Sequence, residues 1–355
     1  MEPVTHFLTG ACLGRAGFNR KTAYATLAMT LAAEAPDLDV LWSIKGPVAG
    51  FQHHRGITHT FLAVPFIALV VTGAVWLFHR FRRKPPKIPV RWPLVFLFSM
   101  IAGLSHLLLD FTNNYGVRPF YPFNPRWYSW DIVFIFEPLI FLALLGALVL
   151  PSLVGLVDRE IGVRKPLFRG RAWAIGALLL IGLLYILRDT QHRNAIQLVQ
   201  ESGTSKEPIR RIGAEPFPVD PFKWYVVAES SSYYQTSLVN TRTNVVDTDS
   251  GTQIYKPDTT LATQAAKNSW LGQVYLDWSE FPLVTDRGLY QPPGKNLEAP
   301  QPTWHTVEFD DLRFEYMGMI MRTTSQARTV PLGGWVYVGP QHEIEGMVMG
   351  GREQP

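Results

Sequence analysis

Imidazoles and carboxylates gather at a few places in the first third of the chain. Residues 51–60 read FQHHRGITHT and hold His53, His54 and His59 beside Arg55. Asp37 and Asp39 sit in APDLDV, His106 and Asp110 in SHLLLDF, and His6 stands alone in VTHFLTG. Histidine and carboxylate donors without thiolate suit zinc, manganese or iron, and this many of them could hold one ion or two ions about 3.5 to 4 Å apart. Water on such an ion is acidified toward neutrality and can attack a phosphorus or carbonyl centre. The single cysteine, Cys12, excludes an internal disulfide and a thiolate-rich zinc site, and is expected to pack as a small apolar residue.

Spacing says which of these groups can meet. His106 and Asp110 are four positions apart in an apolar helix, so they share one side and can aim at one point. An aspartate at membrane depth costs roughly 2.5 to 3.5 kcal/mol on insertion scales, which favours a ligand pair over a chance one; the alternative is a His–Asp hydrogen bond joining two helices. The acids of PDLD follow a proline at a helix end, where the dipole disfavours carboxylates and a cation would remove the penalty. His54 and His59 lie about 140° apart on a continuous helix. Their convergence therefore needs a turn in HRGIT, with Gly56 supplying the backbone freedom and Thr58 capping a helix that begins at His59. Arg55 then offers a planar guanidinium to a phosphate or carboxylate of a substrate, or pairs with Asp131 or Glu137. His53 is expected to stand aside.

Long apolar elements must position these residues. Of 355 residues only 17% are charged, and runs at 61–78, 92–111, 132–157 and 172–187 are long enough to span a bilayer. Two shorter, half-polar helices are expected at about 3–16 and 22–36, joined by the basic turn GFNRK. The loops 79–91 and 158–171 are rich in Lys and Arg, which places them on the cytoplasmic side. His6, Asp37, Asp39, His53, His54, His59, His106, Asp110, Asp131 and Glu137 then all fall at the outer face. A net charge of +4 that resides in short loops follows from topology and does not point to nucleic acid. No cleavable signal peptide is evident at the start.

The ordered set THFLTG, PDLD, HHRGITHT and HLLLDFTNNYGV resembles the YdjM family of inner-membrane, metal-dependent hydrolases, with motifs covering about residues 1–120. The resemblance implies ligand roles for His6, Asp37, Asp39, His54, His59, His106 and Asp110, with Arg55 as their partner in the motif. More distantly, the helical array with H-x-x-x-D is similar to zinc-dependent phospholipase C and P1-type nucleases, although a second His-x-x-x-Glu pair is missing.

From about residue 195 the composition changes. KWYVVAESSSYYQTSLVNTRTNVVDTDSGTQIYK, TVEFDDLRFEYMGMIM and GGWVYVG alternate β-branched and aromatic residues with polar ones and read as antiparallel strands. One helix is expected near TLATQAAKNSWLG, AEPFPVDPF reads as a linker or lid edge, and Asp310 and Asp311 as a turn or strand edge. The expected architecture is thus an α-helical integral membrane bundle over 1–190, followed by a small β-rich extracytoplasmic domain over 191–355. The expected function is metal-dependent hydrolysis of a phosphoester of a lipid or lipid-linked substrate at the outer face of the inner membrane. In that scheme a divalent ion, zinc first and manganese or iron next, activates water, Asp110 or Asp39 accepts a proton and Arg55 neutralises substrate charge. A metal-ion transporter or a structural metal-binding scaffold is the alternative. H-E-x-x-H and G-x-S-x-G are absent, which removes the usual metallopeptidase and serine hydrolase signatures.

Overall fold

The computed structural model describes residues 1–160, 168–247, 253–290, 303–317 and 332–355. Half of the basic loop 158–171 and parts of the segments DTDSGTQIYK and EYMGMIM lie outside the described residues. The chain forms two compact units. The first comprises Met1–Asp39, Arg55–Asn194 and Glu215–Trp224; the second comprises Val40–His54, Ala195–Ala214 and Tyr225–Pro355. The division is therefore not a single cut near residue 190.

The first unit is helical. Helices α1 (Pro3–Ala16) and α2 (Ala25–Glu34) form the short hairpin. Gly10 and Gly14 on α1 let the two backbones approach closely. A Cβ on Gly10 would stand 2.5 Å from the Met29 carbonyl oxygen, and one on Gly14 would stand 2.6 Å from the Thr26 Cα. Four further helices are long and apolar enough to cross a membrane: α4 (Ala63–Phe81), α5 (Trp92–Thr112), α6 (Pro138–Glu160) and α7 (Arg171–Ser202). On α4 one stripe, Val64, Ala68, Val71 and Val75, is buried, while Phe66, Leu69, Val70 and Phe81 are exposed. An apolar surface of that extent suits lipid and not water.

The core of this unit runs from Met29, Ala32 and Ala33 on α2 to Val71 on α4 and Phe98 and Ala102 on α5. A second cluster joins Leu8 and Cys12 to Leu109, Ile140 and Leu144. Cys12 is buried there as a small apolar residue, its Sγ 3.7 Å from the Leu144 carbonyl. Helix α6 starts at Pro138 and not at 132, because Glu137 turns inward to a buried ion pair with Arg188 on α7 at 2.6 Å. AEPFPVDPF is tied down by the same pair. Val219 donates its backbone N–H to Glu137 at 3.0 Å, and the Phe217 carbonyl accepts from Arg188.

The second unit carries two five-stranded sheets. Strands β1 (Arg211–Pro216), β2 (Lys223–Glu229), β3 (Tyr233–Asn240) and β4 (Val245–Asp247) lie in sequence order, and β5 (Gln253–Tyr255) pairs antiparallel with β3. The other sheet is an antiparallel meander of β6 (Pro282–Tyr290), β7 (Trp304–Asp311), β8 (Gly334–Val338), β9 (Ile344–Met349) and β10 (Arg352–Glu353). The expected single helix is two, α8 (Leu261–Asn268) and α9 (Trp270–Trp278), because Ser269 leaves helical geometry and caps α9 through the Gly272 N–H. Helix α3 (Pro47–His53) belongs to this unit through Phe51, whose ring meets Tyr275 and Trp278 at 6.0 and 5.1 Å.

The acids at the end of β7 are not a simple turn. Asp311 is buried against Arg313 and accepts from Ser279 at 2.6 Å. Asp310 lies on the same strand face as Glu308. Burial, reinforced by Glu308, pushes its carboxyl up to about 7. A carboxyl whose folded value exceeds its unfolded one weakens the fold as pH rises from about 4 to 7. Asp310→Asn is therefore expected to raise the melting temperature of purified protein at pH 8 and to change it little at pH 4; an equal shift at both would refute this reading of Asp310.

Candidate metal centre

Four helix ends meet at one end of the helical unit. His106 and Asp110 occupy the last two turns of α5, one turn apart, and both are wholly buried. His6 lies in the first turns of α1, one turn before Gly10, whose backbone packs closely against α2. Asp37 and Asp39 follow α2 in the 3-10 segment Ala35–Lys45. His59 ends a short 3-10 turn, Ile57–His59, ahead of α4.

Donor atoms of Asp37, His59, His106 and Asp110 all lie within 4.8 Å of one another. His59 Nε2 is 3.0 Å from His106 Nε2, 3.3 Å from Asp37 Oδ1 and 3.3 Å from Asp110 Oδ2. His106 Nε2 is 3.3 Å from Asp110 Oδ2 and 3.7 Å from Asp37 Oδ1. A tetrahedron with bonds of about 2.0 to 2.1 Å has edges of roughly 3.3 Å. These five separations thus lie close to the edges of a tetrahedral coordination shell. Asp110 Oδ2 is buried and accepts no hydrogen bond, a cost that a cation would remove. These residues fit a divalent ion.

The imidazoles are already oriented for that role. His106 Nδ1 faces the Ala33 carbonyl at 2.6 Å, which assigns the proton to Nδ1 and leaves the Nε2 lone pair toward the group. His59 Nδ1 meets Thr58 Oγ1 at 3.0 Å and Asp39 Oδ2 at 3.3 Å. Burial opposes a proton on His59, yet the facing carboxylates of Asp110, Asp37 and Asp39 outweigh it and hold the ring up to about 10. The carboxylates thus demand positive charge at this point, whether a proton or a metal ion supplies it.

Several expected roles change. Asp39 stands behind His59 and outside the four-donor group. Its Oδ2 also accepts the Arg55 backbone N–H at 2.8 Å. The left-handed turn in HRGIT is at Arg55, with φ of 52°, whereas Gly56 has φ of −79°. His54 ends α3 in the second unit, donating its backbone N–H to Gly50, and is not one of the four. His53 stacks on Trp42 at 4.0 Å. Thr60, not Thr58, accepts the backbone N–H of Ala63, the first residue of α4, at 3.0 Å. Asp131 and Glu137 lie outside the group, and Glu137 is the partner of Arg188.

Arg55 is buried and directed at the protein. Its Nη2 is 2.8 Å from Asp110 Oδ1; its Nη1 donates to Asn113 Oδ1 at 3.1 Å and to the Gly116 carbonyl at 2.8 Å. The guanidinium also lies over the Tyr115 ring at 4.7 Å. Its place is therefore to hold Asp110, not to await a substrate oxygen. His6 Nε2 lies 3.3 Å from the same Oδ1, and its ring stacks on His106 at 3.7 Å. Sequence reading missed Ala33, Asn113 and Gly116, which act through backbone or amide groups. Asn113, inside the quoted motif HLLLDFTNNYGV, was the findable one.

In detergent-purified protein loaded with zinc or manganese, His106→Ala and Asp110→Ala are expected to lose the bound ion by elemental analysis. Asp39→Asn is expected to keep it with roughly 10- to 100-fold weaker affinity, as for a partner behind a ligating histidine. Full metal content in both alanine variants would disprove the ligand assignment.

A family model described as YdjM inner membrane protein matches residues 1–195, a span that includes every residue of the group. The chain is also 28% identical over 156 residues to a protein of Bacillus subtilis (strain 168) named "Uncharacterized protein YfhP", a match covering 42% of this chain and 45% of the relative. It thus spans less than half the length of that relative. No solved structure matches. With the family model covering more than half of its length and four helices fit to cross a bilayer, the chain is a membrane protein belonging to the YdjM inner membrane protein family.

Proposed function

We propose that this protein is a membrane-bound, metal-dependent hydrolase acting on an ester, in the first place a phosphoester of a lipid or lipid-linked molecule. The observation that carries the reading is the buried group of two imidazoles and two carboxylates whose spacings match a coordination shell. When bound there, a zinc, manganese or iron ion would supply an acidified water at neutral pH. Asp39 and Thr58 fix the His59 ring, the Ala33 carbonyl fixes that of His106, and Arg55 fixes Asp110. Asp37 is the one of the four with an exposed edge, 11% of its side chain, so water and substrate reach the group past it. Its Oδ2 is buried without a hydrogen-bond partner and can take up a proton there.

The placement proposed for the group is the outer face of the membrane, from the positive charge of loop 79–91. The lipid character of the substrate follows from that location and from the apolar faces of the neighbouring helices. The sheet unit is proposed to be extracytoplasmic on the same grounds.

One observation favours a second reading. Four protein donors close a tetrahedron around zinc, as in structural sites, whereas a six-coordinate ion such as manganese would keep two positions for water. The test is hydrolysis of phospholipid and phosphodiester substrates in detergent by metal-loaded wild type, with chelator-treated protein and His106→Ala as controls. The hydrolase reading expects turnover in the first alone. Retained metal with no turnover on any ester, and no enhancement of water proton relaxation by bound manganese, would establish the structural reading in its place.

A further inference from the structure

Beyond the four donors, we propose a second divalent-cation position beside Asp110, with His6 as its imidazole ligand and Asp110 bridging the two ions. This rests on the metal reading of the first group but not on hydrolysis. His6 is fully buried, yet neither of its ring nitrogens has a hydrogen-bond partner. A buried polar atom left unpaired is costly, so a ring kept with Nδ1 unpaired and Nε2 held only against a carboxylate oxygen has a use for them. Stacking on His106 fixes the plane of the ring and directs Nε2 to Asp110 Oδ1 at 3.3 Å. The same carboxylate gives its other oxygen, Oδ2, to His59 and His106. Asp110 thus presents one oxygen to each side.

Asp37 repeats the pattern. Its Oδ1 belongs to the first group, and its Oδ2 is buried and accepts nothing. Glu34, three residues earlier, also has a buried and unpartnered Oε2. Positive groups already crowd Asp110 Oδ1, where the Met1 amino group and Arg55 both bear on it. A second ion takes the place of the amino group, while the Arg55 hydrogen bond stays on the remaining lone pair. Carboxylate-bridged ions of this kind stand about 3.5 to 4 Å apart in two-metal sites.

The probe is manganese alone, added to detergent-purified protein and followed by elemental analysis and electron paramagnetic resonance. Wild type is expected to retain two ions per chain with an exchange-coupled spectrum. His6→Gln and His6→Ala are expected to retain one ion with an uncoupled six-line signal, and that retained ion reports an intact first group. One ion in wild type, or two coupled ions in either His6 variant, overturns the proposal. If neither variant folds, the wild-type stoichiometry and coupling decide it. Two coupled ions without ester hydrolysis would defeat the hydrolase reading and leave this one standing; hydrolysis with a single ion would do the reverse.

Discussion

Burying carboxylates among apolar helices is the constraint on which the rest of the helical unit depends. Asp110 sits fully buried near the end of a membrane-length helix, with Asp39 buried and Asp37 nearly so beside it. In such surroundings an uncompensated charge is far more costly than at a surface, and removing one partner of a buried pair costs more than the pair contributes. Arg55 compensates one charge. The remainder is what makes the facing imidazole nitrogens of His59 and His106 and the unpaired carboxylate oxygens intelligible, because positive charge is wanted among them.

The helices are arranged to satisfy that demand at one point. Close approach of α1 and α2 at Gly10 and Gly14 brings the end of α2 within reach of α5, so the Ala33 carbonyl near the helix terminus can accept from His106. A side chain at Gly10 would push the helices apart and withdraw that carbonyl. The same hairpin sets His6 flat against His106. Packing among small residues thus decides which nitrogen of His106 faces the carboxylates, a chemical property set by steric means.

Much of this was legible from residue type and spacing. Apolar length gave four of the helices, since hydropathy over some twenty residues has few other causes. The i,i+4 rule gave the joint aim of His106 and Asp110. What stayed hidden was of two kinds. Backbone acceptors such as Ala33 and Gly116 carry no side-chain signature, so a sequence cannot announce them. Local conformation in HRGIT was also misplaced: glycine attracts the left-handed turn by default, yet Arg55 adopts it, and the substrate-facing role expected of its guanidinium gave way to a bond with Asp110. The helix 261–278 was split by one serine whose capping ability outweighed the continuous amphipathic pattern.

The strained turn at Arg55 explains why Asp39 belongs with the group without being one of its four donors. A left-handed conformation at a non-glycine residue costs on the order of 1 to 3 kcal/mol and persists only where its surroundings enforce it. Asp39 enforces it by accepting the Arg55 backbone N–H, and with the same oxygen it faces His59 Nδ1. One carboxylate therefore fixes the direction of the guanidinium that holds Asp110 and the direction of an imidazole ligand. Neutralising Asp39 would loosen two members of the shell together, through a change in orientation and not through the loss of a donor. Spacing in PDLD thus reads as a division of labour, in which the first acid faces the ion position and the second holds the groups that surround it.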